Sequence, residues 1–144
     1  MIILDTNVVS ETKRPVPNPV VVQWVAENAR ANLFITAVTE AELRYGLAIM
    51  PAGQRRESLA RETEDMLRKD FAGKILPFDS AAAQVYPEIA VSRRRAGRPI
   101  KQYDCQIAAI ARSQNMAVAT RNVSDFTDCG VELINPWSTE GTPL

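Results

Sequence analysis

Four acidic residues from widely separated stretches of the chain stand where they could do chemistry. Asp5 directly follows a short apolar run that predicts a buried strand, and Asp125 comes shortly after another such run. Glu42 and Asp104 lie near the starts of two predicted helices. Ligands of open parallel sheets bind beyond the carboxyl ends of the strands, so the topology allows all four carboxylates to meet in one pocket.

The charge of such a pocket limits what it can do. Two carboxylates about 4 Å apart repel by about 4 kcal/mol at an effective dielectric constant of roughly 20. Four ionised carboxylates would therefore consume much of the roughly 5–15 kcal/mol by which a domain is stable, unless protons or a cation neutralise them. Oxygen ligands with open coordination positions suit Mg²⁺ or Mn²⁺.

Histidine is absent from the chain, which excludes several competing chemistries. No histidine can act as a general base, complete a catalytic dyad or ligate zinc. The chain also lacks the GxxxxGK loop of P-loop nucleotide hydrolases. Metal-assisted hydrolysis of a phosphodiester bond, in which the ions activate water and stabilise the attacking and leaving oxygens, is the reaction that carboxylates serve best.

Each acid also has a purely structural interpretation. Asp5 could be a turn residue or a helix cap, and Glu42 stands three residues after Thr39 in the pattern of a capping box. Asp104 would offset the dipole in the first turn of its helix, and Asp125 could belong to a turn or a cap. If these interpretations sufficed, the chain would be a non-catalytic module that binds RNA or a protein partner.

A phosphotransfer enzyme with an aspartate nucleophile is a further alternative. The Asp-Thr-Asn sequence at 5–7 lacks the second aspartate of haloacid-dehalogenase-like sites. A response-regulator receiver would need a phosphorylated aspartate after a middle strand. Asp79 is separated from its strand by two residues and fits a helix cap better; labelling of the protein by acetyl phosphate would favour the receiver.

The elements that must position the acids alternate along the chain. Short apolar runs predict strands at 2–4, 33–35, 75–76, 117–119 and 131–134. Helical patterns are predicted at 20–29, 36–49, 52–71, 79–96 and 101–115, with one helical turn at 8–11, a loop at 12–19 and a tail at 136–144. This alternation favours one parallel sheet covered by helices on both faces.

Two of the helices carry more specific expectations. The apolar residues that share one face of the 36–49 helix are Val38, Ala41, Tyr45 and Ala48. Such a stripe is typical of a helix side that faces a core. In the 79–96 helix, Asp79 or Ser80 is the predicted N-cap, and Pro87 is expected to kink or divide the helix.

Length and composition indicate one globular domain, residues 1–144. The 144 residues are 46% hydrophobic and 24% charged, close to the average of globular domains. The two cysteines are too few for a disulfide scaffold and indicate a reducing compartment. No uncharged apolar run approaches the ~20 residues of a membrane span, so the sequence predicts a soluble cytoplasmic protein.

Basic and acidic residues number 17 each, so any contact with nucleic acid must come from a local patch. The densest positive group precedes Asp104, and one further arginine stands beside Asn122. The candidate RNA-binding residues are Arg93, Arg94, Arg95, Arg98, Lys101 and Arg121. A solvated face is the alternative for residues 93–95, and Tyr103 could stack on a base.

Four motifs, in order along nearly the whole chain, resemble the PIN domain. They are Ile3-Leu4-Asp5-Thr6-Asn7, Thr39-Glu40-Ala41-Glu42-Leu43-Arg44-Tyr45-Gly46, Tyr103-Asp104-Cys105-Gln106-Ile107-Ala108-Ala109 and Ala119-Thr120-Arg121-Asn122-Val123-Ser124-Asp125-Phe126. Within that family the chain is similar to the VapC toxins of bacterial toxin–antitoxin pairs, especially the FitB-like branch. The stretches 76–79 and 135–137 also resemble that branch.

The resemblance has implications for fold, activity and partners. It implies an α/β fold, a three-layer α/β/α sandwich with a central parallel sheet. It also implies the endoribonuclease toxin of a type II toxin–antitoxin pair, dependent on Mg²⁺ with Mn²⁺ as a substitute. The partners it implies are an RNA substrate, a small cognate antitoxin that inhibits the activity, and a second copy in a homodimer. We expect a structured RNA loop as the substrate, since single-stranded loops are where sequence-specific RNA reading is usually possible.

Carried over residue by residue, the resemblance implies that Asp5, Glu42 and Asp104 bind the metal and act in catalysis. At the fourth position FitB-like members can place an acid where this chain has Asn122, whereas many VapC toxins place it where this chain has Asp125. We predict that Asp125 is the fourth catalytic and metal-binding acid. The supporting residues implied beside them are Thr6, Asn7 and Asn122. Thr6 would hydrogen-bond a metal-bound water and Asn7 would orient the loop, although both could equally be turn residues. Asn122 would be a neutral neighbour of the site.

Overall fold

Short strands and helices alternate along the chain in a computed structural model that describes residues 1–29 and 32–138. The strands are β1 (Ile2–Leu4), β2 (Leu33–Thr36), β3 (Ile75–Leu76), β4 (Ala117–Ala119) and β5 (Leu133–Ile134). The helices are α1 (Thr6–Thr12), α2 (Pro19–Asn28), α3 (Ala37–Ala48), α4 (Gln54–Asp65), α5 (Ser80–Arg95) and α6 (Gln102–Gln114). A π-helical turn, Met66–Asp70, follows α4, and a 3-10 turn, Val123–Phe126, follows β4. Residues 139–144 of the predicted tail lie outside the described residues.

The five strands form one parallel sheet in the order β3-β2-β1-β4-β5. β1 lies at its centre, with Ile3 opposite Phe34 on one side and opposite Val118 on the other. The chain runs outward from β1 through β2 to β3 and then crosses back to β4. The carboxyl ends of β1 and β4 therefore flank the point where the strand order reverses, which is where open α/β sheets bind ligands.

Successive residues of β1 face opposite sides of the sheet, and each side is covered by its own apolar core. Ile3 lies in a core with Ile89 of α5 and Ile107 of α6. Leu4 lies in a second core with Trp24 of α2 and with Met66. Burial on both faces explains why the strands read as continuous apolar runs, and it confirms the predicted α/β fold with a central parallel sheet.

Most of the apolar face of α3 is exposed, so the expectation that it faces a core holds only for Val38, which packs partly buried against the core that contains Ile3. Tyr45 is 67% exposed, and Ala41 and Ala48 are exposed as well. The buried residue of α3 is Thr39, and Leu43 packs partly buried against the core on the α2 side. Periodicity shows which residues share a face of a helix, but it does not show which face meets the sheet.

α5 runs through Pro87 as one helix, so the predicted division does not occur. Asp79 caps its start as predicted, because its carboxylate accepts a hydrogen bond from the Ala82 N–H at 3.0 Å. Proline removes one N–H from the helix, and burial of Ala82 and Ile89 in the core shared with α6 stabilises the continuous helix. Among the described residues, every helix is too short or too polar to cross a membrane.

Candidate active site

Asp5 leaves the carboxyl end of β1 and is held from two directions. Its Oδ1 accepts a hydrogen bond from the Thr6 N–H at 2.8 Å, which makes it the N-cap of α1. Its Oδ2 accepts a hydrogen bond from the Thr120 hydroxyl at 2.8 Å, across the gap between β1 and β4. The side chain is thus a cap and, at the same time, a carboxylate fixed at the reversal point of the sheet.

Glu42 does not take part in a capping box, which corrects that structural interpretation. The N-cap of α3 is Thr36, whose hydroxyl accepts from the Thr39 N–H at 3.2 Å. Glu42 therefore lies beyond the first turn, and its Oε1 accepts a hydrogen bond from the Thr6 hydroxyl at 2.9 Å. Because the single Thr6 proton is donated to Glu42, the 3.0 Å contact between the two threonine hydroxyls requires Thr39 to be the donor.

Asp104 and Asp125 are half-buried and lie on the other side of the same region. Asp104 is in the first turn of α6, where its charge offsets the helix dipole as the structural interpretation predicts. Asp125 lies in the 3-10 turn after β4. Within residues 1–29 and 32–138, neither carboxylate accepts a hydrogen bond or forms an ion pair.

All four predicted acids line one open cleft of about 520 Å³. Its lining residues are Asp5, Thr6, Asn7, Ser10, Glu42, Lys101, Tyr103, Asp104, Asn122 and Asp125. The cleft therefore also collects the predicted supporting residues. As the side chains lie, no three acidic or cysteine side chains in the described part of the chain stand close enough to hold one metal ion. The acids share a cleft, but they must turn inward to close on a common ligand.

Burial and mutual repulsion raise the pKa values of these carboxyls. Burial, followed by the charges of Asp5 and Asp125, raises the pKa of Asp104 to about 6. Burial is also the main cause that raises the pKa of Asp5 and of Glu42. Lys101 lowers the pKa of Asp104 only in part. The cleft is a concentration of negative charge that Lys101, the one cationic side chain in its described lining, does not balance.

Arg93 faces the interior, so the prediction that it binds RNA is wrong. Only 5% of the residue is exposed, and its guanidinium donates hydrogen bonds to the backbone carbonyls of Arg98, Asp125 and Thr127. Successive helix residues point about 100° apart, and the packing of α5 turns Arg93 inward while Arg94 and Arg95 stay exposed.

The other predicted basic residues stay accessible but differ in their surroundings. Arg94 and Arg95 are exposed at the end of α5, and Lys101 lines the cleft. Arg98 forms an ion pair with Asp128, so its charge is partly matched. Arg121, beside the cleft residue Asn122, places its guanidinium carbon 5.2 Å from the ring centre of Trp137, a cation–π contact.

Thr120 is a site residue that the sequence reasoning did not select. It is fully buried, and besides donating to Asp5 its hydroxyl accepts from the Asn122 N–H at 3.1 Å and from the Asn7 amide at 3.4 Å. The available signal was a polar residue directly after the buried strand β4. That Thr120 meets Asp5 depends on the pairing of Leu4 with Ala119, which no local pattern reveals.

Comparison with known proteins places the chain in a family. The family model described as PIN domain matches residues 2–128. The chain is 42% identical over 137 residues to the plasmid stability protein StbB of Pseudomonas syringae pv. tomato, covering 95% of this chain and 99% of that protein. It is 40% identical to the VapC ribonuclease Y4jK of Sinorhizobium fredii, covering 95% of this chain and 98% of that protein. It is 39% identical to toxin FitB of Neisseria gonorrhoeae, covering 95% of this chain and 99% of that protein.

Solved structures give the same result for the fold. The structure of FitAB bound to the IR36 DNA fragment contains a chain that matches with a TM-score of 0.91 at 39% identity, covering 96% of each chain. The crystal structure of FitAcB from Neisseria gonorrhoeae matches with a TM-score of 0.90 at 39% identity, covering 95% of this chain and 99% of that chain. The chain therefore belongs to the PIN domain family, in the branch that includes toxin FitB and VapC ribonucleases.

Proposed function

We propose that this protein is a divalent-metal-dependent endoribonuclease and the toxin of a type II toxin–antitoxin pair. The observation that carries the proposal is the collection of four acids, from four separate segments, in one cleft without ion pairs among the described residues. Two relatives, the VapC ribonuclease Y4jK and the tRNA(fMet)-specific endonuclease VapC of Shigella flexneri, support the same reaction class.

The chemistry of the donor set fits Mg²⁺, with Mn²⁺ as a substitute. Asp5, Glu42, Asp104 and Asp125 would hold the cation, since they supply only hard carboxylate oxygens. When bound, such a cation supplies Lewis-acid polarisation of the phosphate and lowers the pKa of bound water. The raised pKa of Asp104, about 6, means that this carboxyl releases any retained proton when it becomes a ligand.

The chain's own residues would keep two of these acids in place. The Thr6 N–H and the Thr120 hydroxyl each donate to Asp5, so both of its oxygens are oriented before any ligand binds. The Thr6 hydroxyl donates to Glu42 at 2.9 Å and thereby links the acid of α3 to the start of α1. Such outer-shell hydrogen bonds orient the ligating carboxylates.

RNA would approach across the basic side chains around the cleft. Lys101 lines the cleft and can pair with a phosphate. Arg121 neighbours the cleft residue Asn122, and Arg94 and Arg95 are exposed at the end of α5. Tyr103 is 59% exposed and lines the cleft as well, so its ring is available to stack on an unpaired base. These features favour a single-stranded RNA segment, such as a loop, as the substrate.

We further propose a small antitoxin as the partner that silences the activity. The support is the likeness to toxin FitB and to chains in the structures of FitAB and FitAcB. Co-expression with the product of a small neighbouring open reading frame should restore growth that this chain alone arrests. A gene that stands alone and causes no growth defect when overexpressed would contradict this part of the proposal.

A homodimer is proposed on the apolar surface that α3 leaves open. Tyr45 is 67% and Ile49 65% exposed, and a second copy would remove these side chains from water. Light scattering at micromolar concentration tests the proposal, and a monomer would contradict it.

We infer that residues 1–144 act as one domain in the cytoplasm, in line with the free, buried Cys105 and Cys129.

Cleavage of a labelled RNA panel tests the nuclease activity directly. The wild-type protein should cut in Mg²⁺ and stop cutting in excess EDTA. Asp5→Asn should abolish cleavage without unfolding the chain, because asparagine keeps the size of the side chain but loses the charge. Asp65→Asn, an exposed aspartate of α4, is the matched control and should cut normally. Undiminished cleavage by Asp5→Asn, or in EDTA, would defeat the proposal, and RNA binding without any product would favour the non-catalytic module.

A further inference from the structure

Arg93 is a buried guanidinium that connects two segments of the cleft. Its Nε donates to the Arg98 carbonyl at 2.7 Å, and its Nη1 donates to the carbonyls of Asp125 and Thr127, each at 2.9 Å. We infer that Arg93 is a positioning residue of the proposed nuclease site, which holds the Asp125 turn against the segment that leads into α6. This inference rests on the proposed function.

The two segments that Arg93 joins each carry an acid of the cleft. The Arg98 carbonyl lies in the short connection between α5 and α6, and Asp104 lies in the first turn of α6. The carbonyl of Asp125 belongs to the same residue whose carboxylate lines the cleft. One planar side chain therefore fixes the distance between the backbone segments that bear Asp104 and Asp125.

Asp125 depends on its backbone for its position. Its carboxylate accepts no hydrogen bond from the described residues, in contrast to Asp5, which accepts two. A second link between the same segments, the ion pair of Arg98 with Asp128, involves side chains that are 51% and 60% exposed. Arg98 also donates to the Thr127 hydroxyl at 3.2 Å, again at an exposed position. Exposed contacts of this kind contribute little stability, so the buried Arg93 is the strongest of these links.

The guanidinium is matched to this task by its shape. It presents several N–H groups in a rigid plane, whereas a lysine ammonium is a single point of charge. The three carbonyls that Arg93 satisfies lie on two segments, and one ammonium cannot reproduce the Nε and Nη1 contacts in the same directions. Lysine at this position would keep a buried cation but lose the bridge.

A double-mutant cycle with Asp125 tests the inference. Mn²⁺ affinity, measured by electron paramagnetic resonance, and RNA cleavage are compared for Arg93→Lys and Arg93→Met, alone and in an Asp125→Asn background. Alone, each variant should weaken Mn²⁺ binding by about 10–100-fold, the range found when support of a metal ligand is lost. With Asp125→Asn already present, the further loss should be less than about twofold, since Asp125, the ligand that Arg93 holds in place, is then already lost.

The controls separate positioning from general stability. Arg68→Met removes an exposed arginine of the π-helical turn, whose side chain is 76% exposed, and should leave Mn²⁺ affinity unchanged. If Arg93→Met does not fold, Arg93→Lys carries the test, because it retains the buried charge. The inference would be overturned if the Arg93 substitutions lowered Mn²⁺ affinity equally in the wild-type and Asp125→Asn backgrounds. Full cleavage activity of Arg93→Lys would overturn it as well. A wild-type protein that neither binds Mn²⁺ nor cuts RNA would instead overturn the proposed function, and Asp125→Asn would then also have no effect.

Discussion

Replacing Asp104 with asparagine should stabilise the metal-free protein at neutral pH while it abolishes RNA cleavage. Burial and the neighbouring acids raise the pKa of Asp104 from its ordinary value of 3.8 to about 6. The folded state therefore binds this proton more tightly than the unfolded state does. As the pH rises from 4 to 7 the folded state loses stability through this group, because ionisation costs more in the cleft than in water.

The structure sets the size of the effect. Without solvent screening, a pKa shift of this size would change the free energy of unfolding by roughly 3 kcal/mol, since each pKa unit is worth about 1.4 kcal/mol. Asp104 is only half-buried, and solvent screening reduces the contribution to about 1–2 kcal/mol. For a domain of this length, that should raise the melting temperature of Asp104→Asn by roughly 3–6 °C at pH 7.5.

Thermal unfolding in EDTA between pH 4.5 and 7.5 measures the effect, with Asp65→Asn as the exposed control. Asp104→Asn should exceed the wild type in melting temperature at pH 7.5 and match it near pH 4.5, where the wild-type carboxyl is protonated. Added Mg²⁺ should narrow the difference at pH 7.5, because a ligand that binds only the folded state stabilises the wild type. A variant that is less stable than the wild type at pH 7.5 in EDTA would refute the reasoning.

Three further substitutions test the supporting residues. Thr120→Val should cost about 1–3 kcal/mol in urea unfolding, since it removes the donor to Oδ2 of the buried Asp5 carboxylate and leaves only the Thr6 N–H on Oδ1. A Thr120→Ser variant that fails to recover most of this stability would contradict the role of the hydroxyl. Thr6→Val should weaken Mn²⁺ binding by about tenfold by releasing Glu42, and unchanged affinity in calorimetry would argue against that link. Arg121→Ala should lower RNA affinity and its salt dependence while Mn²⁺ affinity stays the same. Filter binding at two salt concentrations measures this, and an RNA affinity equal to that of the wild type at both would contradict the role of Arg121.

Much of the candidate site could be predicted because its residues follow recognisable elements. Asp5 comes directly after a strand that is apolar on both faces, and Asp104 starts a helix with a strong apolar stripe. The capping box at Glu42 was the misleading local signal. Thr36 and Thr39 both offer a hydroxyl near the start of α3, and only the end of β2 at Thr36 decides which one caps the helix.

The sequence by itself determined the acids, the alternation of strands and helices, and the absence of histidine chemistry, since these follow from residue types and short-range periodicity. The tertiary structure alone decided that Thr120 meets Asp5 and that Arg93 turns inward under Asp125. These contacts span 115 and 32 positions of the chain. Strand register and helix orientation depend on such long-range packing, about which the spacing of neighbouring residues carries no information.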